Sequence, residues 1–400
     1  MLQLRMTGWK LRILLGFMLC CGLNVCMKTR YLLNRLAFIA ALSFAATSVH
    51  AKALSIGLVI PQSGQFALLG QHVREAFQIW DQTNPGVYAD IVEGDDDCST
   101  QSGSDAAVAM AEAGVDIVVG FLCTESLAAA LPLLTEESIP VMTLTVRADI
   151  VGEEANRLGW KFYRLAPRSG AEAEIAADAI FRLWADKSFA LIEDGAISGR
   201  ELVEAVRVKL EDRGLKPTFV DNFRPGQDTQ PSLVRRLRSA GITHVFVGGE
   251  RSDMAVIAKE ADYQKLPLQF MGGDALHAPQ GENPLPDGTI AVLSDGAIPG
   301  PEAEAARSVF EDHGLIAEGL RIPAYAAAEI LGAVATRSGH SDSSVEELLR
   351  QSTFSTALGT VSFTDQGERR EPGFVLAIQR DGEFTRMSIA DTARLVQENQ

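Results

Sequence analysis

The sequence predicts an α/β protein made of two doubly wound lobes, each a parallel sheet with helices on both faces. Three observations carry this: short β-branched runs alternate with helical stretches almost without interruption, the alternation starts a second time after Arg164, and no Pro/Gly/Ser-rich linker separates the two series. The first series opens with the apolar strand Leu54–Ile60, then a helix near Ala67–Gln82, a strand at Tyr88–Glu93, a helix near Asp105–Ala113, a strand at Asp116–Gly120 and a helix near Glu125–Glu136. In the second, Ala171–Trp184 reads as helix, Phe189–Glu193 as an apolar strand, and Gly199–Arg213 as an amphipathic helix. Thr218–Asp221, Pro231–Ala240 and His244–Gly248 continue as strand, helix and strand. Two later helices, Glu302–His313 and Tyr325–Arg337, precede a closing pair of strands, Gly359–Phe363 and Gly373–Gln379, with Asp381-Gly382 as turn chemistry. The missing linker argues for lobes joined by short crossings rather than for beads on a string.

The 400 residues carry 46% hydrophobic side chains, enough for about two domains with real cores. The first 51 hold six basic residues and no acid. Met27-Lys28-Thr29-Arg30, the apolar run from Leu36 to Ala46, and Val49-His50-Ala51 supply the charged start, apolar middle and small-residue cleavage site of a secretory leader. Translation is expected to start at Met27, residues 1–51 to be removed on export, and the mature protein to begin at Lys52. Loss of six positive charges moves the formal balance from −16 to −22. So acidic a chain is not drawn to nucleic acid or anionic lipid by its overall field. The mature part keeps two cysteines, Cys98 and Cys123, in a compartment where disulfides persist, and they are expected to be bonded. Two cysteines without a nearby histidine are too few ligands for zinc.

Catalytic and cofactor signatures are missing. The first strand runs into Pro61-Gln62-Ser63-Gly64, without the G-x-G-x-x-G spacing that lets backbone approach a pyrophosphate, and neither a phosphate-binding G-x-x-x-x-G-K-[ST] loop nor a G-x-S-x-G elbow occurs. His72, His244, His277, His313 and His340 are scattered, none beside a Cys or Ser in a nucleophile motif. The expectation is a non-enzymatic protein with no cofactor and no metal.

At Asp95-Asp96-Asp97-Cys98 and Gly120-Phe121-Leu122-Cys123-Thr124-Glu125-Ser126 the chain resembles the periplasmic leucine/isoleucine/valine-binding protein family, the type I solute-binding proteins of branched-chain amino-acid ABC transporters. Ile56–Gly64, Val245-Phe246-Val247-Gly248-Gly249 and Gln269-Phe270-Met271-Gly272-Gly273-Asp274 continue the likeness in the family's order. The resemblance implies three hinge crossings, near Arg164–Pro167, Val292–Ser294 and Val361–Asp365. Lobe one would then be 52–164 plus 295–361, and lobe two 165–293 plus 362–400. It also implies a small amino-acid-like ligand, permease subunits as partners and a monomer, with an amide- or metabolite-sensing module as the alternative.

Carried over by position, the ligand carboxylate would meet Thr124 and the loop bearing Thr143, Thr145 and Arg147, while Asp274 would take the ammonium. Thr124 has a second reading as a plain N-cap. Where relatives place aromatic walls, this chain has Leu69, Ser198 and Glu250, and Arg147 stands at a hydroxyl position. That exchange implies a ligand more polar than leucine, unless Arg147 pairs with Glu125 or Glu250.

Overall fold

The computed structural model describes residues 53–298, 300–339, 343–388 and 391. The leader, the start at Met27 and the new terminus at Lys52 lie outside the described residues. The first sheet contains β1 (Leu54–Ile60), β2 (Tyr88–Asp95), β3 (Ile117–Gly120), β4 (Val141–Thr143) and β5 (Phe162–Arg164). Its order is β2-β1-β3-β4-β5 and every pairing is parallel. Helices α1 (Ala67–Thr83), α2 (Thr100–Ala113), α3 (Thr124–Glu136) and α4 (Asp149–Leu158) supply the crossovers.

The second sheet follows α5 (Ala171–Trp184) and is built from β6 (Phe189–Glu193), β7 (Phe219–Asn222), β8 (His244–Gly248), β9 (Gln269–Gly272) and β10 (Ile290–Ser294). Between these run α6 (Ile197–Asp212), α7 (Pro231–Ser239) and α8 (Arg251–Tyr263). The chain then returns to the first lobe for α9 (Glu304–Asp312), α10 (Arg321–Ser338), α11 (Val345–Gln351) and the hairpin β11 (Thr353–Thr356) and β12 (Gly359–Ser362). Finally β13 (Phe374–Arg380) and β14 (Glu383–Arg386) add antiparallel to the second sheet, giving β14-β13-β10-β9-β8-β6-β7.

Each sheet is buried on both faces, which is why its central strands read as unbroken apolar runs. In lobe one, Ile56, Leu58, Phe77, Trp80, Phe310 and Leu331 fill one face, and Val59, Met110, Val118, Leu127 and Phe162 the other. Lobe two is filled by Val245, Met254 and Phe270 on one side and by Trp184, Val206 and Phe246 on the other. Each such side chain stabilises the fold by roughly 1.5–3 kcal/mol relative to exposure.

Four local expectations change. The helix expected from Asp105 starts at Thr100, because Ser99 accepts the Ser102 N–H at 3.1 Å and caps it. The helix expected from Tyr325 starts at Arg321, since Pro323 lies in the first turn where its missing N–H costs nothing. The two closing strands are not a pair: β12 joins β11 in lobe one, whereas β13 joins β10 and β14 in lobe two. Val292–Ser294 belongs to β10 inside the sheet, and the chain leaves lobe two only after it.

Three segments, 165–170, 295–300 and 363–373, connect the lobes, and buried charge stitches them together. The wholly buried Arg164 reaches Glu368 at 3.1 Å, and its N–H donates to the Gly367 carbonyl. Arg369 donates to Asp295 at 2.7 Å, with both side chains under a tenth exposed. Burial pushes the Asp295 carboxyl above its ordinary range, and the Arg369 guanidinium opposes that shift.

Candidate functional site

The carboxyl ends of β1, β3 and β4 open on one rim of lobe one, where doubly wound sheets gather their ligands. At Gly120, φ is +129° and a Cβ would meet the Val59 carbonyl oxygen at 1.9 Å, so only glycine lets β3 run this close to β1. Phe121 follows at φ +49°, fully buried, and turns the chain into α3. The N-cap of α3 is Cys123, not Thr124, which corrects the capping reading of Thr124. The Cys123 sulfur is bonded to Cys98, so its side chain caps nothing. The opening N–H groups of α3 therefore keep free donors and the positive end of the helix dipole.

Thr124, first residue of α3, is half-buried, and its hydroxyl has no protein partner among the described residues. Thr143 and Thr145 differ. Thr143 is fully buried and donates to the Phe121 carbonyl at 3.4 Å while accepting the Val146 N–H, and Thr145 donates to the Leu122 carbonyl at 2.8 Å. A hydroxyl has one hydrogen to give, so these two brace the β3–α3 loop and have none left for a ligand. Asp96, which the sequence reading quoted without a role, ties that loop down: buried, it accepts from Cys98 N (2.9 Å), Ser102 Oγ (3.1 Å) and Ser126 Oγ (2.8 Å).

On lobe two, Asp274 stands just past β9. Its Oδ1 accepts the Ser294 N–H at 2.8 Å, fixing the carboxylate to the end of β10. Its own N–H donates to Glu172 Oε1 at 2.7 Å, and a Cβ on Gly273 would lie 2.0 Å from that same oxygen. Glycine at 273 is thus what admits Glu172 beside Asp274. Burial raises the Glu172 carboxyl above its usual range, and the Asp274 charge adds to the shift, while the Asp274 N–H and Arg147 oppose it. Sequence reading missed Glu172; the signal available was an acid in the first turn of a helix that follows a crossing.

Arg147 reaches over from lobe one. Its guanidinium lies 3.9 Å from Asp274 Oδ2, 4.0 Å from Glu172 Oε2 and 4.8 Å from the centre of the Phe374 ring. Its ion partners among the described residues are Glu172 and Asp274, not the exposed Glu125 or Glu250, and this corrects the alternative pairing. Ser198 and Glu250 sit exposed at the starts of α6 and α8, and Leu69 packs half-buried against the lobe-one core. The structure brings together Arg147, Asp274 and Glu172, whereas Thr124 has no contact with them among the described residues.

These features define a two-lobed binding protein with a polar cleft between strand ends. The chain matches the family model for periplasmic binding proteins over residues 53–383 and belongs to that family. It is 26% identical over 369 residues to Leu/Ile/Val-binding protein homolog 3 of Brucella melitensis, covering 88% of this chain and 98% of the relative. An ABC transporter substrate-binding protein of Desulfitobacterium hafniense in complex with leucine matches with a TM-score of 0.61 at 16% identity, covering 84% of this chain and 99% of the other. A solute-binding protein of Rhodopseudomonas palustris HaA2 in complex with p-hydroxybenzoic acid matches with a TM-score of 0.59 at 14% identity, covering 84% and 96%.

Proposed function

We propose that this protein is the periplasmic receptor of an ABC import system and closes around an α-amino acid more polar than leucine. One observation carries the reading: two carboxylates of lobe two, Glu172 and Asp274, stand about 4 Å from the Arg147 guanidinium of lobe one. That is the charge pattern of a zwitterion turned inside out. The ammonium goes to Asp274, whose Oδ2 makes no hydrogen bond among the described residues, and the carboxylate goes to Thr124, the α3 amides and Arg147. An aromatic acid offers no positive group and would be repelled by the two carboxylates.

The ligand touches both lobes, so it binds the closed state better and shifts the population toward it. Lobe two then takes the whole of β10, to Ser294 rather than 293, and permease subunits read the closed surface. The role is binding rather than catalysis, the protein acts as a monomer, and it reaches the periplasm by cleavage before Lys52. Mass analysis of the exported protein that found residues 1–26 would refute that route. For the ligand, a thermal-shift panel of alanine, threonine, serine, glutamate, leucine and p-hydroxybenzoate decides. A polar amino acid should raise the melting point more than leucine does and p-hydroxybenzoate should not; a preference for leucine, or binding of p-hydroxybenzoate alone, would overturn the reading.

A further inference from the structure

A polar cavity of about 620 Å³, away from Arg147 and Asp274, lies between β14, the segment after β9 and the start of α9. Arg251, Arg307 and Arg386 line it together with His277, against two acids, Glu304 and Glu383. Three guanidiniums around one cavity need explaining in a chain of net charge −16. Arg251 is buried to 7% exposure, donates to the Leu276 carbonyl at 3.1 Å and lies over the Phe384 ring. No carboxylate stands within 4 Å of it among the described residues, and burial alone lowers its proton affinity. Arg386 donates to the Ile298 carbonyl at 2.7 Å and likewise makes no ion pair there. Glu302 and Asp295 act on Arg386 only at longer range, and Asp295 is already engaged by Arg369. Among the described residues Arg307 has only the loose 3.9 Å ion contact to Glu304.

A buried guanidinium without a counter-ion is costly, and its planar fork matches carboxylate and phosphate oxygens. The volume falls in the range of small-molecule sites.

We propose that this cavity is a second ligand site, for a small multivalent oxyanion, with Arg251 and Arg386 as its inner donors and Arg307 at its mouth. Arg307 stands on a lobe-one helix while Arg251 and Arg386 belong to lobe two, so a bound oxyanion spans the crossing at 295–300. The site does not depend on the amino-acid reading of the cleft.

Calorimetric titration of the purified protein with inorganic phosphate and, separately, citrate tests it, with sodium chloride matched for ionic strength as the control. Saturable 1:1 binding of either anion is expected, and which of the two binds tells a phosphate from a polycarboxylate site. Arg386→Gln and the solvent-side Arg307→Gln should each weaken binding about tenfold or more, the scale of one lost charge-assisted hydrogen bond. Arg235→Gln, on the exposed face of α7, should change nothing. Absence of saturable binding by both anions, or equal binding by the folded Arg307→Gln and Arg386→Gln proteins, overturns the proposal.

Discussion

Asp274→Asn separates the two tasks that the structure gives to one carboxylate. Oδ1 is committed to the Ser294 N–H at 2.8 Å, whereas Oδ2 stands 3.9 Å from Arg147 and is the atom an ammonium would approach. Asparagine keeps a carbonyl oxygen for Ser294 and removes the charge. An ammonium and a carboxylate about 4 Å apart attract by about 4 kcal/mol at an effective dielectric of about 20. The Asp274 side chain is 28% exposed and Glu172 remains beside it, so a loss of about 2–4 kcal/mol is expected, or about 30- to 1,000-fold in affinity. Asp274→Ala should lose as much affinity and also about 1 kcal/mol of stability, because the Ser294 N–H goes unpaired. Calorimetry with the amino acid selected by the thermal-shift panel gives the affinities, and urea unfolding gives the stabilities. Wild-type affinity in a folded Asp274→Asn protein would refute the ammonium assignment.

Three further outcomes follow from the packing. Asp96→Ala removes the acceptor of the Cys98 N–H and leaves the buried Ser126 hydroxyl only its longer 3.3 Å bond to the Cys123 carbonyl, so urea unfolding should show a loss of about 1–3 kcal/mol, and a loss under about 0.5 kcal/mol would contradict the bracing role. Burial pushes the Glu329 carboxyl, which accepts the Ala357 N–H, up to about 7. The fold therefore favours its protonated form, and this stabilisation is complete below pH about 4.5 and lost as pH rises to about 7. Glu329→Gln should remove about 2 kcal/mol of that decline, the figure being reduced for the part of the group that water reaches, and an unchanged pH profile of the melting point would disprove it. Reducing the Cys98–Cys123 bond, which joins residues 25 apart, should cost roughly 3 kcal/mol, and an unmoved denaturation midpoint in reductant would exclude that.

Hydrophobic periodicity and the order of short strands and helices are local properties, and they determined the two doubly wound sheets, down to strands such as Leu54–Ile60 and His244–Gly248. The isolated cysteine pair and the Gly-Gly-Asp strand end were legible for the same reason, since each is a short pattern with one physical use. Tertiary structure decided what periodicity cannot carry, which is the partner each charge meets. Glu172 and Asp274 are 102 residues apart and touch only because Gly273 has no side chain. Arg369 and Asp295, 74 apart, pair only where two crossings run side by side. Gly359–Phe363 and Phe374–Arg380 look alike as strands, and the crossing between them sends them to different lobes. An amphipathic pattern records how deeply an element is buried, while long polar side chains choose their contacts after the elements have packed, so the sheets were readable from the sequence and the charge pairs were not.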